Sequence, residues 1–123
     1  MILDDLKIFL VENNIVESEY IKFDYDSSNG NENILINIQN NIPCDLAMRS
    51  HLRISVKFKD LEFARNTAFS IYNLLFPTDN FQKAIKINNK IMHGKLNKGP
   101  YYSGKDKSQR HIYLLDITLT YNR

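Results

Sequence analysis

Three histidines, one cysteine and a few paired acids are the side chains in this sequence that could bind a metal, attack a substrate or move a proton. Zinc needs three or four ligands brought together, which sequences usually announce as Cys-x-x-Cys or as two histidines one helical turn apart. His51, His93 and His111 have neither spacing. A thiol nucleophile needs a base beside it, and folding could bring one to Cys44, but a lone cysteine is more often a small apolar filler. Asp4 with Asp5, Glu17 with Glu19 and Asp24 with Asp26 are near neighbours, yet acid–base work also needs a concave site, and such pairs commonly occupy solvated turns. The 4 glycines form none of the patterns G-x-x-x-x-G-K-[ST], G-x-G-x-x-G or G-x-S-x-G, so the usual phosphate cradles and the nucleophile elbow are excluded. The expectation is a protein with no cofactor and no metal that is not an enzyme.

Recognition by charge and ring has one concentrated candidate. Lys95, Lys98, Lys105, Lys107 and Arg110 share residues 95–110 with a single acid, Asp106, and with Tyr101 and Tyr102. Cations interleaved with aromatics suit single-stranded nucleic acid, where phosphates meet charge and bases stack on rings. Tyrosines beside mixed charge suit a protein contact instead. Lysines can also simply keep a hairpin solvated and its edge unpaired. All three readings stay open on residue chemistry, although Asp106 amid four cations weakens the first. The candidate interface residues are Tyr101, Tyr102, Lys105, Asp106, Lys107 and Arg110, on a loop over 98–110 whose bends Gly99, Pro100 and Gly104 set.

The elements that must carry this loop follow from periodicity. Ile2, Leu6, Phe9 and Leu10 predict a helix over about residues 2–13, with Asp4 and Asp5 at its positive end and Asn13-Asn14 as its stop. Ile21, Phe23 and Tyr25, then Ile34, Ile36 and Ile38, alternate on either side of Asn29-Gly30 and predict a β-hairpin with a longer loop. Pro43 leaves residues 40–50 as a connection. In "HLRISVKF", Leu52, Ile54, Val56 and Phe58 face a core while Arg53, Ser55 and Lys57 face water. From the N-cap Asp60, Leu61, Ala64, Ala68, Ile71 and Leu75 follow helical spacing until Pro77, with the two alanines allowing close approach to a sheet. After the loop "PTDNFQK" comes a strand around 85–92 with a bulge or break at Gly94. A long final strand puts His111, Tyr113, Leu115, Ile117, Leu119 and Tyr121 on one side. The order α-β-β-β-α-β-β makes a single α+β domain over 1–123, a mixed, mainly antiparallel sheet with about two helices packed on it.

At 123 residues and 43% hydrophobic, the chain can bury one core without disulfides or metal. The start lacks the basic flank and unbroken apolar run of a signal peptide, and no stretch reaches the roughly 20 apolar residues of a membrane span. A soluble, unsecreted protein is expected. A net charge of +2 is too small for a general polyanion binder, so any affinity for nucleic acid must be local.

Two stretches carry a likeness. "HLRISVKFKDLEFARNTAFSIYNLL", a strand running into an alanine-bearing helix, and later "GPYYSGKDKSQRHIYLLDITLTY" resemble the tail terminator and minor capsid proteins of tailed bacteriophages and prophages. The positions that match the family's final hairpin are Gly99-Pro100, Gly104-Lys105-Asp106 and Arg110. "NIPCDLAM" departs from the family's pattern before the third strand. The resemblance implies an α+β structural virion protein, assembled in the bacterial host cytoplasm, that forms a ring with copies of itself, commonly a hexamer, at the head-proximal end of the tail tube. Its partners would be the tail tube protein and head or neck connector proteins, with no membrane and no specific nucleic acid. A neck or head-completion connector of the same particle is the alternative it allows; residue chemistry keeps a small nucleic-acid-binding protein using residues 95–110 as a rival.

Overall fold

Ile2, Leu3, Leu6 and Leu10 are buried along one side of the first helix, α1 (Ile2–Glu12). Its stop is the expected asparagine pair. The Asn13 side chain donates to the Phe9 carbonyl at 2.8 Å, and Asn14 turns into the left-handed region at φ 58°. The computed structural model describes residues 2–27, 29–77 and 84–122. After a short 3₁₀ turn come β1 (Ile21–Phe23), β2 (Asn33–Cys44), β3 (Ala47–Phe58), α2 (Leu61–Leu75), β4 (Ala84–Ile87), β5 (Lys90–Lys105) and β6 (His111–Asn122).

The six strands form one sheet in the order β1-β2-β3-β6-β5-β4, antiparallel except for the β1–β2 pair. The chain is thus α+β, with two helices on a mixed sheet and one strand more than periodicity predicts. Helix α2 starts as expected, the Asp60 carboxylate accepting the amides of Glu62 and Phe63 at 2.9 and 3.2 Å, and it ends before Pro77. It lies on β3, β5 and β6, with Ala64 and Ala68 fully buried. One core unites both helices with Ile34, Ile36, Leu52, Ile54, Leu115 and Ile117 from one side of the sheet. Among the described residues the other side carries no helix.

The β1–β2 unit differs from the expected hairpin: β1 runs parallel to β2, with Ile21 opposite Ile34 and Phe23 opposite Ile36. Asp24 ends β1 by taking φ 64°, so Tyr25 falls outside the strand and is 73% exposed. Residues 24–32 then carry the chain back to the start of β2. Period-two alternation is blind to strand direction.

Residues 40–50 are likewise not an open connection. Strand β2 continues through Pro43 to Cys44, turns at Asp45-Leu46, and returns as β3. Pro43 is tolerated because β1 reaches only as far as Ile36, leaving β2 an edge strand there. In the segment expected as one strand over 85–92, Asn88 and Asn89 adopt φ 49° and 66° and make a two-residue turn, separating β4 from β5. Gly94 does not break β5. It stands opposite Leu119 where a Cβ would sit 3.2 Å from the Phe76 ring, so its smallness admits that ring. Of the loop expected over 77–83, residues 78–83 lie outside the described residues.

Candidate functional site

The basic segment expected as a loop over 98–110 is mostly strand. β5 stays paired with β6 as far as Lys105 opposite His111, and only residues 106–110 turn. The pairing is irregular, with register shifts on either side of Lys98 and between Tyr102 and Gly104. Gly99 is obligatory at the irregularity between Lys98 and Tyr101: its φ is 103°, and a Cβ there would run into the Leu114 carbonyl oxygen. The Gly99–Pro100 peptide is cis.

The turn is built around Asp106. One carboxylate oxygen accepts the backbone amides of Ser108 and Arg110, both at 3.0 Å, and the other accepts Arg110 Nε and Nη2 at 2.9 and 2.6 Å. The Arg110 guanidinium reaches further, with Nη1 donating at 2.8 Å to Asp26 and to the Asn31 carbonyl. Lys57 Nζ meets the same Asp26 oxygen at 3.3 Å, and the Asn33 amide donates to the other at 3.1 Å. Gly30, at φ 84°, packs so close that a Cβ would lie 2.6 Å from Ser108 Oγ. Arg110 therefore pins the β5–β6 turn to the β1–β2 loop and, through Asp26, to β3. Burial works against charge on both partners. At Asp106 the hydrogen bonds from Arg110 and the backbone outweigh it and hold the pKa below the usual 3.8; at Arg110, Asp106 and Asp26 raise it above the usual guanidinium value.

The six candidate interface residues are thus gathered on one hairpin but divided by orientation. Arg110 is 7% exposed and Asp106 is half-buried, so both are committed to the fold. Tyr102, Lys105 and Lys107 are exposed. Tyr102 is braced from below, its hydroxyl 2.8 Å from His111 Nδ1 and its ring 5.3 Å from that of Tyr113. Tyr101 is half-buried, with the Lys98 ammonium 4.6 Å from its ring centroid.

A second polar constellation lies on the helix-free side. Arg49 and His51 on β3, Thr118 and Thr120 on β6, and His93, Lys95 and Asn97 on β5 line one cleft of about 430 Å³. Two histidines that look unrelated in sequence are brought into it, while His111 is held by Tyr102. The pattern was readable in part, since Arg49, His51 and Arg53 alternate with core residues, but nothing local says which strand lies opposite. Among the described residues no group of three His, Cys, Asp or Glu could hold a metal, and no helix is long and apolar enough to cross a membrane. Cys44 is a half-buried free thiol at the end of β2.

No protein-family model matches the sequence, and a search of curated proteins finds no match.

Proposed function

We propose that this chain is a non-catalytic structural subunit of a tailed-phage or prophage particle that assembles with copies of itself into a ring at the head-proximal end of the tail tube. The observation that carries the reading is the build of the final hairpin. Residues 99–121, one of the two stretches that most resemble tail terminators, form one continuous β-unit that bears Tyr102, Lys105 and Lys107 exposed on a base fixed by Arg110. A merely solvated turn needs no such base. An assembly element does, because a ring closes only if every copy presents its contacts at the same angle. Rigid tyrosine area flanked by charge is also the composition of an interface anchor and its rim.

Native mass spectrometry of the full chain over a range of concentrations tests this. The expected result is a closed species of fixed copy number, about six from the family's usual symmetry, that a Lys105→Glu, Lys107→Glu variant fails to form while keeping its circular dichroism spectrum. Assembly unchanged by the variant would remove the hairpin tip from the interface.

A further inference from the structure

We propose that the helix-free face of the sheet binds the phosphate backbone of nucleic acid in the cleft between Arg49 and Lys95. The register sets this out as two rungs across β3, β6 and β5: Arg49, Thr120 and His93 form one, and His51, Thr118 and Lys95 form the next. Each rung thus ends in a cation on one side and an imidazole on the other, about 10 Å apart across a threonine. The threonines add hydroxyls and no negative charge.

Within the second rung the polar side chains hold one another in place. Asn97 Nδ2 donates to the Thr118 hydroxyl oxygen at 2.7 Å, and the same oxygen lies 2.8 Å from His51 Nδ1. Thr118 is 6% exposed, so its hydroxyl ties Asn97 and the His51 ring together at the floor of the cleft. A cleft floored by held hydroxyl and imidazole groups, with Arg49 and Lys95 at opposite corners, suits an oxyanion.

Charge along the same face separates this cleft from its surroundings. Farther along β3, Arg53 is paired with Asp116 at 2.8 Å and Lys57 with Asp26 at 3.3 Å. Arg49 and Lys95 have no acidic partner among the described residues. The near-neutral total therefore hides a local excess of positive charge, and phosphate oxygens are its complement. The site reads no base edge, so binding is weak and independent of sequence. It does not depend on the ring reading, and it lies away from the hairpin tip.

Fluorescence anisotropy of a short labelled DNA duplex with the full chain is the test. For two phosphates neutralised, affinity should fall about tenfold between roughly 50 and 200 mM salt. An Arg49→Ala, Lys95→Ala variant should lose binding at both salt concentrations, while Lys105→Ala, Lys107→Ala binds as wild type does; thermal melts establish that both are folded. Three results would overturn the proposal: no binding at the lower salt, equal loss in the two variants, or displacement of DNA by polyglutamate as efficiently as by unlabelled DNA.

Discussion

Arg110 shows how a residue's chemistry can be legible while its address is not. A basic residue just before the last strand, near Asp106, reads from sequence as half of an exposed mixed-charge contact. The acid that decides otherwise is Asp26, 84 positions away, and no local pattern announces it. Removing the guanidinium leaves two carboxylates facing each other in a partly buried site, so Arg110→Met should cost about 3 kcal/mol, read as a lower urea midpoint at neutral pH. The pH dependence follows from the depressed pKa of Asp106. With a folded value below the unfolded 3.8, the unfolded chain binds the proton more readily, so this contribution is complete well above pH 3.8 and disappears as pH falls through the folded value. Asp5, held low by Lys90 and Asn88 against the opposing effect of its burial, adds in the same direction. The midpoint of the wild type should therefore drop more steeply below pH 4 than that of Asp106→Asn; parallel curves would mean that Asp106 gains nothing from its partners.

Elements were read best where one face is buried and the period is long. Helix α2 and strands β3 and β6 follow their apolar spacing closely, since each sets a continuous core stripe against polar residues. What periodicity lacked was direction and pairing: β1 is parallel, β4 and β5 are two strands, and β5 keeps its partner through a basic, glycine-rich stretch. In each case the deciding feature is a positive-φ residue or a neighbour distant in sequence. Two substitutions test the element packing. Ala68→Phe should overpack the α2–sheet contact and cost about 1 to 3 kcal/mol, and an unchanged melting temperature would contradict that contact. Gly99→Ala should cost at least about 1 kcal/mol from backbone strain alone, with additional loss because Leu114 blocks the added methyl group.

Among the described residues the molecule is a sheet with one face covered by helices and the other bearing the Arg49–Lys95 cleft and the buried Leu35 and Leu114, held at one end by the Arg110 network. Its exposed charges at Lys105 and Lys107 contribute little to folding, so reversing both should shift stability by no more than about 0.5 kcal/mol each. Any loss of function in that variant would then come from assembly. The most direct measurement is electron microscopy of particles from host cells in which the Lys105→Glu, Lys107→Glu chain replaces the wild type. If this protein closes the tail tube through its final hairpin, those cells should contain overlong tubes and tails without heads. Particles with normal tail length and attached heads would contradict the account.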